Sequence, residues 1–161
     1  MKERKMNNKG FSLVELIIVI AIMAILIVVL APQYLKYVER SRNSTDLQNA
    51  TTIKTAIETY AADPESTKAF GATETFTVTI GPLTSGAANV GVITKDVTSG
   101  AVAQAISDAG LTIGDIKCSS KTKWKYYQLE GTVQSNGTIK WDYKSDNSNA
   151  FKDAMDGKSS T

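Results

Sequence analysis

The chain has 161 residues, 42% of them apolar, with 18 basic and 16 acidic side chains and no histidine. Its apolar content is concentrated at the start, which bounds it to one apolar helix and one small domain. The absent histidines remove the usual general base and the commonest metal ligand, and a lone Cys118 excludes an intramolecular disulfide.

The first ten residues carry Lys2, Arg4, Lys5 and Lys9 against Glu3, a cytoplasmic flank by the positive-inside rule. The rest of the chain then holds 14 basic and 15 acidic side chains, which argues against binding polyanions by bulk charge. Beyond this leader no charge occurs from Leu16 through Leu35, a run of 20 residues. As a helix it spans about 30 Å, enough to cross a bilayer. Glu15 stands at the mouth of that run. A carboxylate costs roughly 2.5–3.5 kcal/mol at a bilayer centre and less near the interface, so its presence calls for a reason. A secretory signal peptide has no use for Glu15, and its one plausible cleavage site, Val29-Leu30-Ala31, is followed at once by Pro32. In a simple single-pass anchor, Glu15 would be the last residue outside the lipid.

The order basic leader, Gly10, Phe11-Ser12-Leu13-Val14-Glu15-Leu16, then an aliphatic run closed by Pro32 resembles the class III signal of type IV prepilins and their pseudopilin relatives. The resemblance covers about residues 2–40. It implies cleavage between Gly10 and Phe11 by a prepilin peptidase, N-methylation of Phe11, and a helix that serves first as membrane anchor and then as filament core. It also implies that Glu15 pairs with the new N-terminus of a neighbouring subunit. Ala24 lies where many family members have Gly, and the head lacks a cysteine pair, which within the family leans toward the Gram-positive pilins.

Pro32 removes a backbone donor and crowds the preceding turn, so a kink near Met23 to Pro32 is expected. A stripe at Leu47, Ala50, Ile53, Ile57, Tyr60 and Ala61 continues the helix amphipathically, with Asp46, Lys54 and Glu58 expected to face elsewhere. Asp63-Pro64 is a natural stop. The organisation is therefore a leader at 1–10, a long helix at 11–62 whose residues 11–35 form the membrane or filament-core part, and a head at 63–161. One helix over this range would be roughly 75 Å long.

In the head, Thr75 to Ile80 reads as a strand with Phe76, Val78 and Ile80 on one face. Ser99 to Ala109 reads as a short helix capped by Ser99 and stopped by Gly110. Around Ser135-Asn136-Gly137, a three-residue loop with Gly137 left-handed pairs Val133 with Ile139, Gly131 with Trp141 and Leu129 with Tyr143. That register makes one face uniformly apolar, with Trp141 lying over Gly131. The fold class is α+β: a long kinked N-terminal helix packed by its second half against an antiparallel sheet.

Chemistry-bearing patterns are sparse. Cys118 reads as a small core residue, although Lys117, Lys121 and Lys123 surround it. Asp142, Asp146, Asn147, Asp153 and Asp156 do not follow calcium-loop spacing, so no metal or cofactor is expected. Lys121, Lys123, Lys125, Lys140 and Lys144 interleave with Trp124, Tyr126, Tyr127 and Trp141, a pattern of single-strand nucleic-acid surfaces. The near-neutral charge and the use of alternating lysines on exposed strands weigh against nucleic acid as a partner. The expected function is structural and not enzymatic. It is a type IV pilus subunit that inserts once in the cytoplasmic membrane, meets an assembly platform and motor, and polymerises with itself into a surface filament for adhesion, aggregation or twitching. A pseudopilin of a secretion or DNA-uptake system is the alternative, and a membrane-anchored binding module that never polymerises is the third.

Overall fold

A computed structural model describes residues 11–84, 86–147 and 149–158, so the leader with Gly10 lies outside the described residues. Helix α1 runs Leu13–Ala62 with Pro32 in its interior. Strands β1 (Thr75–Ile80) and β2 (Gly91–Lys95), helix α2 (Ala101–Asp108), a 3-10 turn at Ile113–Asp115, strands β3 (Tyr127–Val133) and β4 (Ile139–Ser145), and helix α3 (Ala150–Met155) follow. Two compact units result, one ending at Val38 and the other beginning at Glu39. Among the described residues, α1 is long and apolar enough to cross a membrane.

The second unit holds the core. Its sheet has the order β2-β1-β3-β4 with every pairing antiparallel. Strand β3 alternates between buried and half-buried residues along its length, the period-2 signature of a strand with a core side. Ile53 and Ile57 of α1 are fully buried in one cluster with Phe76, Val78 and Leu129 of the sheet and Val102 of α2. At roughly 1.5–3 kcal/mol per large apolar side chain, this cluster is the main stabiliser of so small a domain. Phe151 of α3 closes one end, stacked on Tyr127 at 4.5 Å between ring centroids.

The hairpin has the expected register, with Val133 opposite Ile139, Gly131 opposite Trp141 and Leu129 opposite Tyr143. Gln134 donates its amide to the Thr138 carbonyl at 2.7 Å, and Gly137 adopts φ 81°. That is the three-residue loop with a left-handed glycine.

Three expectations are corrected. The ring over Gly131 is that of Phe76, its partner on β1: a Cβ there would lie 2.1 Å from Phe76 Cζ. Trp141 instead meets Phe76 edge-on from the next strand, at 5.5 Å. Ser99 does not cap α2, because its hydroxyl donates to the Ala69 carbonyl at 2.6 Å. The amides of Val102 and Ala103 donate to Asp96, each at 3.1 Å, so the cap comes from five residues before the helix. Finally, Asp46 does not face away from the core; it is fully buried.

Candidate assembly surface

The first described turn of α1 is set by its own sequence. Leu16 donates to the Ser12 carbonyl at 3.3 Å, which makes Ser12 the residue that opens the helix. Glu15, three positions on, reaches back so that Oε2 accepts the Ser12 amide at 2.8 Å. Ser12-Leu13-Val14-Glu15 thus behaves as the acidic half of a capping box, with the carboxylate at the positive end of the helix dipole. Phe11 is 90% exposed beside it.

Beyond Glu15 every side chain from Leu16 to Tyr37 is exposed, including Ile17, Ile20, Leu26 and Leu30. No apolar residue of this unit is buried among the described residues. A monomer in water does not leave an apolar surface of this extent bare. Pro32 sits within it, in the interior of α1. Such a surface calls for an apolar cover, and Glu15 stands at its start.

The second unit contains a pair of acids that sequence reasoning missed. Glu39 and Asp46 lie seven residues apart on α1 and both receive the loop that carries Cys118 to Trp124. Asp46 Oδ1 accepts the Ser119 amide at 2.7 Å, while Oδ2 accepts the Ser120 amide at 2.9 Å and the Trp124 indole N–H at 2.8 Å. Glu39 Oε1 accepts the Ser120 hydroxyl at 2.9 Å and the amides of Lys121 and Thr122 at 2.7 and 2.8 Å. Partial burial pushes the Glu39 carboxyl up, but the Thr122 and Lys121 amides and the Ser120 hydroxyl outweigh it and hold it at about 2. Burial, and next the Asp46 charge, push the Cys118 thiol up to about 12. Cys118 is thus a small buried core residue, as expected, and the lysines near it in sequence do not make it a reactive thiolate. The signal was present: Asp46 continues the buried spacing of Ala50, Ile53, Ile57 and Tyr60 one turn earlier. Periodicity treats an acid as a break in such a stripe, and its donors lie more than 70 residues away.

The interleaved aromatics are mostly committed to the interior. Trp124 and Tyr127 are buried, and Trp141 donates its indole N–H to Glu58 at 2.8 Å. Near the C-terminus, Asp142 pairs with Lys152 and Asp146 accepts the Lys125 amide at 2.7 Å.

Residues 5–31 match the family described as the prokaryotic N-terminal methylation motif. The chain is 42% identical over 64 residues to a type IV major fimbrial protein FimA of Dichelobacter nodosus, covering 40% of this chain and 41% of that one. It thus spans about two-fifths of the length of the FimA relatives it matches. It is 32% identical over 136 residues to the fimbrial protein EcpC of Eikenella corrodens, covering 76% of this chain and 89% of that one. It is also 39% identical over 62 residues to the prepilin peptidase-dependent protein A of Clostridium perfringens (strain 13 / Type A), covering 38% and 44%. No solved structure gives a significant match.

Proposed function

This chain belongs to the type IV pilin family, and from that premise we propose how it is processed and assembled. A prepilin peptidase cuts after Gly10, and Phe11 becomes the methylated first residue of a mature subunit. Before assembly, residues 11–35 hold the subunit in the cytoplasmic membrane as a single span. An assembly platform and motor then pass it into a homopolymeric surface filament that serves adhesion, aggregation or twitching. The fimbrial relatives favour this surface pilus over a pseudopilin.

One observation carries the reading: an apolar helix exposed on all sides, with a lone carboxylate reaching back to the amide next to Phe11. In lipid that surface is covered by acyl chains, and in a filament by the helices of other copies. Both surroundings are apolar, so little hydrophobic energy changes on transfer. The step is then governed by Glu15. In the single chain its carboxylate accepts the Ser12 amide; in the filament it accepts the cationic N-terminus of a neighbour. Desolvation offsets much of that charge pair's attraction, so the pair fixes register more than it adds stability. Pro32 bends the shaft and lets the apolar part align with its neighbours independently of the head.

The test is the mass of subunits sheared from the cell surface. A chain beginning at N-methylated Phe11 is expected. Filaments built from chains that start at Met1 or at Pro32 would overturn the processing step.

A further inference from the structure

The head carries two surfaces of opposite charge that do not meet within one chain. The first is a groove of about 820 Å³ between the second half of α1, residues 63–67 and the end of α2. Its floor is weakly polar: Ala56 and Ala105 line it, and Thr51 and Thr52 turn their hydroxyls back to the Leu47 and Gln48 carbonyls at 2.8 and 2.9 Å. Its rim holds exposed Asp63, Glu65 and Asp108, none in an ion pair among the described residues. Neither lysine nor arginine lines it among the described residues.

The second surface is the loop pinned by Glu39 and Asp46. The amides of Ser119, Ser120, Lys121 and Thr122 are spent on those carboxylates, which holds this stretch in one shape, while Lys121 and the flanking Lys117 and Lys125 are exposed. Among the described residues, the three acids and these lysines each stand outside any ion pair. The pinning acids sit at positions 39 and 46 of α1, whereas the groove follows positions 48 to 60. From Asp46 to Ala62, next to which Asp63 begins the acid rim, α1 rises roughly 24 Å at about 1.5 Å per residue, beyond the screening length of about 8–10 Å. They cannot neutralise each other in one subunit.

We propose that the acid-rimmed groove of one subunit receives the lysine loop of a neighbouring copy displaced along the helix axis. This rests on the reading of the chain as a polymerising pilin. Two different patches that fit each other make a head-to-tail contact, and such a contact that does not close generates an open filament. A rigid basic loop over an acid-rimmed floor supplies orientation and register more than raw affinity. Glu15 sets register at the shaft, and this contact sets it again at the head.

The test uses the full-length chain in piliated cells. One variant carries Lys117→Glu, Lys121→Glu and Lys125→Glu; a second carries Asp63→Lys, Glu65→Lys and Asp108→Lys. Each is expected to cut filament yield by about tenfold while membrane-inserted chain and protease resistance of the head stay unchanged. Carrying both sets should restore filaments, and Glu65→Cys with Lys121→Cys should give a ladder of oxidised multimers in wild-type-like filaments. Normal yield from either set, or no ladder from the paired cysteines, overturns the contact; normal yield from the acid-to-lysine set would leave the groove to some other cationic ligand. Failure of the wild-type chain to form filaments would instead overturn the pilin reading, and this contact with it.

Discussion

The two halves of α1 place acids in opposite settings. From Leu16 through Leu35 the helix carries no charge, and Glu15 just before it accepts an amide three residues away, at the surface. After it, Glu39 and Asp46 turn toward the domain and accept donors from a loop more than 70 residues distant. A carboxylate that takes a local donor is replaceable for folding and available to another chain. One buried under several long-range donors is fixed. On the proposed function, the same residue class separates assembly from stability along one helix.

The strongest way to break this comparison is to place an acid where the second half has none. Ile57→Asp puts an unpaired charge at a fully buried position and should unfold the head, a loss of about 4–5 kcal/mol, while membrane insertion persists. A protein lacking residues 1–35 that keeps its melting temperature with this change would refute the packing. Next in size, Asp46→Ala strands the Ser119 and Ser120 amides and the Trp124 indole, and should cost about 3 kcal/mol in denaturant unfolding. A change under about 1 kcal/mol would mean that the pinning is ornamental. Gly131→Ala forces a methyl into the Phe76 ring and should cost about 1–3 kcal/mol, read as a lowered midpoint with unchanged slope.

The smallest effect is the most diagnostic. Glu39 has a folded pKa of about 2 against an ordinary 4.5. A lowered folded pKa means that its contribution is complete above the unfolded value and is lost as pH falls through the folded one. Glu39→Gln should thus lower stability by about 1–2 kcal/mol at pH 7, with the gap to wild type closing between about pH 5 and pH 2. A gap that stays constant over that range would remove the charge from the explanation.

Local rules made much of this legible. The 3-4 spacing marked the buried face of α1 through Tyr60, and alternation marked β1. The hairpin register followed because a two-residue loop would have mixed polar and apolar faces. What failed was long-range. Strand β2 at Gly91–Lys95 was not singled out: it is short, its residues after Gly91 are half-buried or exposed, and it takes its register from β1 across an irregularity at Thr77/Val78. Asp46, the cap from Asp96 and the Phe76 ring over Gly131 all depend on partners from another element, which no window of sequence contains. The exposed apolar run and the position of Glu15 at its start were readable from hydropathy and charge, whereas the pinned loop required the fold.

Glu15→Ala tests the central division most directly, scored in one strain for inserted chain, head melting temperature and surface filaments. The account predicts unchanged insertion, a melting temperature within about 1 °C of wild type because Glu15 accepts only a local amide, and few or no filaments. Filaments of normal number and length from that variant would contradict it.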